Sequence, residues 1–193
     1  MRSGRALLAT ALVLPLCGAG SLAGQALAAR PPVPARCAGA HVRPSGANAA
    51  VIAAATLCLV DQIRTARHLP ALWWNRELGR VASGQVATML SRNFFSDVRP
   101  TGQTPMSLVA GTSYTVKAPG GVSVAEDIAW ATPGVDTPAR IVAAWMASPA
   151  HREVILSTEF HDAGVGVAAS LPQVLRAGSG GATYAMEFGV RRR

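Results

Sequence analysis

The 193-residue chain has few aromatic residues, almost no lysine and no long apolar run beyond its first thirty positions. Phe, Trp and Tyr make up 5% of it, which leaves little from which to build a platform for stacked bases. Of the basic residues, all but Lys117 are Arg, and the only basic block is Arg191, Arg192 and Arg193. The formal charge of +8 is therefore spread thinly, and specific nucleic-acid binding is not expected. Charged residues are also scarce, at 15% against 50% hydrophobic, which argues against disorder and coiled coil and for one globular domain with a sizeable core. No later stretch approaches the ~20 apolar residues of a membrane-spanning helix, and no internal repeat is evident.

What is present begins with a leader. Arg2 and Arg5 precede an apolar run over residues 6–16, and Ala26-Leu27-Ala28 offers small residues at the positions a signal peptidase reads. Gly18, Gly20, Ser21, Gly24 and Gln25 interrupt that run too early for a membrane anchor. Leu16 before Cys17 is too large for a lipoprotein signal. Residues 1–28 are thus expected to be a secretory signal peptide, cleaved near Ala28, and the mature chain to be secreted and soluble. Cleavage removes Cys17 and leaves Cys37 and Cys58, an even pair that in an exported protein reads as a disulfide. Two unrelated thiols are the alternative, and the mass shift on reduction distinguishes them.

Pro31, Pro32, Pro34 and Pro44 mark residues 29–46 as a Pro/Ala-rich linker held at Cys37, and the domain proper is expected over residues 47–193. Ile52, Ala55, Leu59 and Ile63 recur at helical spacing and predict a first helix over residues 47–68. A second helix is expected from an Asn75 cap to Arg92, with Leu78, Val81, Ala82, Val86, Met89 and Leu90 on one face. The next forty residues, broken by Pro100, Gly102, Pro105, Gly111, Pro119, Gly120 and Gly121, read as mostly loop with one helical turn over residues 106–109. Asp136-Thr137-Pro138 signals a cap and Pro start for a helix that stops at Pro149, and a short helix follows over residues 151–156. Residues 164–167 and 182–188 read as two strands joined through a Gly/Ser loop. Helices first and a hairpin last predict an α+β fold.

Seven segments occur in a recognisable order. They are Cys58-Leu59-Val60-Asp61-Gln62-Ile63-Arg64, Leu72-Trp73-Trp74-Asn75, Asn93-Phe94-Phe95-Ser96, Ala125-Glu126-Asp127-Ile128-Ala129-Trp130, Trp145-Met146-Ala147-Ser148-Pro149-Ala150-His151-Arg152, Gly164-Val165-Gly166-Val167 and the stretch from Tyr184 to Gly189. The chain thereby resembles the bacterial branch of the CAP superfamily, the cysteine-rich secretory, antigen 5 and pathogenesis-related 1 proteins. The resemblance implies a three-layer α-β-α sandwich and a cleft lined by acidic residues and two histidines. It carries over to this chain only in part. Glu126 and His151 stand at the family's Glu and second His, whereas Asp97 stands where a His usually follows Phe-Phe-Ser. Ala125 and Asp127 flank Glu126 in place of Gly and Asn, Val154 replaces an Asn after His151, and the Ser-Pro-Asp-Gly loop appears as Val98-Arg99-Pro100-Thr101-Gly102.

The cleft candidates are therefore Asp97, Glu126 and His151. If they converge, one imidazole and two carboxylates form a possible divalent-metal site with a preference for oxygen-loving ions. A structural His151–Glu126 ion pair is the favoured alternative. His151 with Glu126 as orienter, and Ser96 nearby, would also be the cast of a weak hydrolase, although no Gly-x-Ser-x-Gly elbow exists. Members of the family are described as binding sterols, fatty acids or partner proteins. A lipid groove formed by residues 106–109 with Val122, Val124 and Ile128 is one option for this chain, and plain core is the favoured one. Trp73, Trp74, Trp130 and Trp145 are expected in the core, Glu159 and Asp162 in solvent, and His41, His68 and His161 receive no role. The expected function is a secreted, monomeric, non-enzymatic binding or interaction module, with lipid, envelope polymer or protein as partner. Its positive charge favours anionic partners through salt-sensitive contacts.

Overall fold

The computed structural model describes residues 36–192 apart from 117, 176, 177 and 179. The expected signal peptide, its cleavage point and Cys17 lie outside the described residues. The elements in chain order are α1 (Ala49–Thr65), β1 (Trp73–Trp74), α2 (Arg76–Arg92), α3 (Pro105–Ala110), α4 (Ser113–Val116), β2 (Val122–Ala131), α5 (Pro138–Ala147), α6 (Pro149–Leu156), β3 (Asp162–Ala168) and β4 (Ala182–Arg191). The strands form one sheet in the order β1-β3-β4-β2, with β1 parallel to β3 and the other neighbours antiparallel.

The sheet's alternation decides which helix covers which face. Val165, Tyr184, Met186 and Phe188 point to one side and pack with Ile52, Leu57 and Val60 of α1, Ile141, Val142 and Trp145 of α5, and Ile155 of α6. Ala185 and Ile128 point to the other side and pack with Ala82, Val86 and Met89 of α2, while Leu78 and Val81 meet Val109 and Tyr114 there. Helices therefore cover both faces, giving the α-β-α sandwich of an α+β fold. Gly164 and Gly166 bring α2 unusually close. A Cβ on Gly164 would collide with the backbone of Leu78 and Gly79, and one on Gly166 with that of Ala82 and Ser83.

Local signals act as their chemistry requires. The Asn75 side chain accepts from the N–H groups of Glu77 and Leu78 and caps α2, which ends at Asn93 in the left-handed conformation. Thr104 and Ser107 form a capping box on α3, which extends one residue beyond the expected turn over residues 106–109 at each end. The Cys37–Cys58 disulfide is formed. It holds residues 36–48 against the domain, where Ala40 is buried and Arg43 makes a bidentate bond to Asp136.

The cap and Pro start of α5 are as expected, with Thr137 at the cap position before Pro138, while the Asp136 carboxylate is turned to Arg43. Three expectations need correction. The stretch expected as loop contains β2, a ten-residue strand paired along its whole length with β4. Of the four tryptophans only Trp145 is fully buried, while Trp74 is 51% and Trp130 38% exposed. Asp162 is buried, accepting from the Tyr114 hydroxyl at 2.8 Å beside Arg191.

Candidate functional site

Glu126 on β2 lies directly opposite Glu187 on β4, and the strand alternation places both carboxyls on the α2 side of the sheet. Asp127, one residue on, points to the opposite face and is buried. Above the two glutamates the loop after α2 is held by Gln85, a fully buried side chain. Its amide nitrogen donates to the carbonyls of Ser96 at 2.9 Å and Asp97 at 3.2 Å, and its oxygen accepts from the Arg99 Nε at 2.9 Å. Gln85 thereby sets Asp97 and Arg99 over the carboxyl pair. His151 enters from α6 in the other helical layer.

The electrostatics are dominated by burial. All four carboxyl oxygens of Glu126 and Glu187, one oxygen of Asp127 and the Nδ1 of His151 are buried without a hydrogen-bond partner. Burial disfavours the charged form of each acid, and mutual repulsion with Asp97 adds to it. Glu126 and Glu187 are both raised well above the usual carboxylate range, with Arg99 pulling the other way. Asp127 is pushed up to about 8 by burial and by Asp97. Asp97 itself is raised by burial, against the attraction of His151. A proton on one of the two glutamates lets it donate to the other, which satisfies oxygens that two carboxylates would leave orphaned.

The three cleft candidates are thus neighbours in charge, but their contacts differ from expectation. His151 makes no ion pair with Glu126, and the group it attracts is Asp97. Among the described residues no three His, Cys, Asp or Glu side chains are arranged to hold a metal ion. The donor set as placed does not fit a divalent ion, so no metal step is derived. Ser96 offers no poised nucleophile, since its hydroxyl accepts from the Val98 N–H within its own turn.

A second concavity opens at the far edge of the sheet. Strand β1 is only two residues long, and beyond it no strand among the described residues pairs with the outer edge of β3, which α1 and α2 overhang from either face. The resulting groove has a volume of about 700 Å³. Ala50, Ala53, Ala54 and Leu57 of α1 form one wall, Gly79 and Ser83 of α2 the other, with Val165 and Val167 at the base. Trp74 closes one end.

With both sites placed, the sequence profile described as "CAP: Cysteine-rich secretory protein family" matches residues 57–172, more than half of the chain. The chain belongs to the cysteine-rich secretory protein family. No curated protein matches it. Among solved structures it is similar to an outer surface protein from Borrelia burgdorferi, at 19% identity and a TM-score of 0.56 over 70% of this chain and 90% of that one. It is also similar to an extracellular protein containing a SCP domain from Bacillus anthracis, at 24% identity and a TM-score of 0.56. A third likeness is a cysteine-rich secretory protein from Staphylococcus aureus, at 15% identity and a TM-score of 0.52. In these last two cases the alignment covers 75% of this chain but only 41% and 40% of the other, so the chain spans under half of their length. At such identities the likeness bears on fold alone.

Within this CAP domain, sequence reasoning singled out Asp97, Glu126 and His151 and missed Glu187, Asp127, Gln85 and Arg99. A signal for Glu187 existed. It is a lone carboxyl inside the otherwise apolar Tyr184-Ala185-Met186-Glu187-Phe188, where a buried charge needs an explanation. The groove had no comparable signal, because it is built from alanines that read as ordinary helix filler. Of the residues considered for a lipid groove around residues 106–109, Val109 is core, fully buried with Leu108, Val122 and Val124 packed about it, while Met106 is 39% exposed.

Proposed function

We propose that this CAP-domain protein is a secreted, non-enzymatic binding module whose α1–α2 groove takes the extended alkyl chain of an anionic amphiphile. The groove itself carries the reading. Its volume lies within the range of small-molecule sites, and its walls are small apolar side chains. The lining of α1 extends from Ala49 to Asp61, about 18 Å of helix, which suits a long thin chain better than a compact polar ligand. Arg76 and Arg80 are exposed on α2 beside the lining residues Gly79 and Ser83; Arg80 is paired with Glu77 at 3.0 Å, and Arg76 is the guanidinium offered to a carboxylate or phosphate head.

A non-catalytic role is supported by the contacts of the one nearby hydroxyl: among the described residues Ser96 bonds neither the carboxyl cluster nor His151, and its hydroxyl accepts from the Val98 N–H within its own turn. Secretion is supported by Arg2, Arg5 and the apolar leader that follows them. Once outside, the net positive charge favours weak contacts with anionic envelope polymers or lipid surfaces, lost at raised salt.

The test is titration of a fluorescent fatty acid into the mature protein. Binding is expected in the wild type, at least roughly tenfold weaker in Ala54→Trp, which fills the groove from an exposed helix position, and unchanged in His151→Ala. No binding by the wild type, or equal binding by Ala54→Trp, overturns the proposal.

A further inference from the structure

Further along α2 lies another concavity, which shares no lining residue with the apolar groove. Its volume of about 370 Å³ is within the range of small-molecule sites. Thr88, Ser91 and Arg92 form one wall. They stand at i, i+3 and i+4 on α2 and therefore share one face of the helix. Arg99, Thr101 and Gln103, from the loop that follows, form the other wall. Among the described residues no acid lines the cavity, although two arginines do.

The loop wall is held in place before any ligand arrives. Arg99 N–H donates to Gln103 O at 2.9 Å and Gly102 N–H to Arg99 O at 2.8 Å, in a turn that Gly102 permits with a φ of 83°. The Arg99 side chain is fixed as well. Its Nε donates to the buried Gln85 at 2.9 Å, and one Nη lies beside α2, 3.8 Å from where a Cβ on Gly84 would stand, one turn before Thr88. Among the described residues neither Nη makes a hydrogen bond and Arg99 makes no ion pair. The acids that feel its charge, Glu126 and Glu187, are themselves raised toward the neutral form, so the guanidinium is left uncompensated. Arg92 is exposed in the last turn of α2 and likewise has no ion-pair partner among the described residues.

The neutral side chains supply a different kind of contact. Thr88 Oγ1 donates to Gly84 O at 2.6 Å, and Thr101 Oγ1 donates to Gln103 Oε1 at 3.2 Å. With their protons so placed, both hydroxyl oxygens are left as acceptors, while Gln103 presents its amide N–H groups. The cavity thus combines cationic donors with acceptors and a neutral donor. We propose that it binds a small phosphate monoester of a polyol, with Arg92 and Arg99 on the phosphate and Thr88, Thr101 and Gln103 on the hydroxyls. A phosphate monoester carries nearly two charges at neutral pH and matches two guanidinium groups, whereas a carboxylate would leave one of them unmatched. The site is separate from the acyl groove, so the proposal does not rest on the reading above.

Calorimetric titration of glycerophosphate into the mature protein at neutral pH tests it. Binding is expected in the wild type and roughly tenfold weaker in Arg92→Gln, an exposed position whose replacement leaves the fold intact. Thr101→Val is expected to bind glycerophosphate about threefold more weakly and inorganic phosphate as the wild type does. Arg140→Gln removes an exposed cation on α5 and should change nothing, as should Ala54→Trp in the apolar groove. No binding by the wild type overturns the site. Equal weakening in Arg92→Gln and Arg140→Gln overturns it as well, because general attraction to a basic protein then suffices. Loss of binding in Ala54→Trp places the ester in the apolar groove and overturns the assignment to this cavity. Inorganic phosphate bound as tightly as glycerophosphate overturns the ester as the ligand.

Discussion

Replacing Gly164 by Ala adds a single methyl group at the tightest contact in the fold. The new Cβ would collide with the backbone of Leu78 and Gly79, and no flexible side chain is available to swing aside. Either α2 lifts from β3, losing the packing of Leu78, Ala82, Val86 and Met89, or β3 distorts within the sheet. Overpacking of this kind costs about 3 kcal/mol. For a domain of this size that lowers the melting temperature by about 6–12 °C. Gly84, on the same helix, is the internal control. A Cβ there meets only the end of the Arg99 side chain at 3.8 Å, so Gly84→Ala relieves the cost of glycine in a helix and gains about 1 kcal/mol, or about 2–4 °C. Thermal unfolding followed by circular dichroism measures both. If Gly164→Ala melts with the wild type, or the two variants shift in the same direction, the direct seating of α2 on β3 is wrong.

Other perturbations test other parts of the fold. Arg64 is buried and donates to the carbonyls of Pro70, Ile155, Ser157 and Phe160, so Arg64→Met leaves those carbonyls unpaired and should cost about 3 kcal/mol in urea unfolding. An unchanged midpoint refutes its structural role. The Cys37–Cys58 link closes a separation of 21 residues, and the double serine variant should lose about 3 kcal/mol on the chain-entropy account. Asp127, raised to about 8 when folded, binds a proton in the native state that the unfolded chain has released. Stability should therefore fall as pH rises from about 4 to 8, with Glu187 acting in the same direction over that range and Glu126, raised to about 10, extending the fall above it. Asp127→Asn should flatten part of this slope and be the more stable protein at pH 8, and an identical slope in the variant would count against the burial of a protonated acid.

Much of the fold was legible because its signals are local. The Asn75 cap, the Thr137-Pro138 start, the apolar stripe of α2 and the alternation over β3 and β4 each act within a few residues. The disulfide was legible from the pair of cysteines, Cys37 and Cys58, left once the expected signal peptide with Cys17 is set aside. Strand β2 was not, for two reasons. Its start follows directly on Pro119, Gly120 and Gly121, and Glu126 and Asp127 interrupt its alternation with acids that fold into the interior. The same acids explain the shortfall at the cleft. Glu126 was visible as a motif residue, but its partner Glu187 comes from a strand 61 positions away and meets it only through the β2–β4 register. Trp74 shows the limit of composition, since a large ring is expected inside, yet it stays half-exposed over Gly79 at the mouth of the groove.

Native mass spectrometry of the protein collected from the medium of a secreting host tests the central claim most directly. The account predicts a mature chain beginning near Ala29 that retains an acyl-chain adduct under gentle ionisation and loses it in Ala54→Trp but not in His151→Ala. A wild-type protein that stays bare even after incubation with fatty acid, or an adduct that survives in Ala54→Trp and disappears in His151→Ala, would contradict it and return the function to the carboxyl cleft.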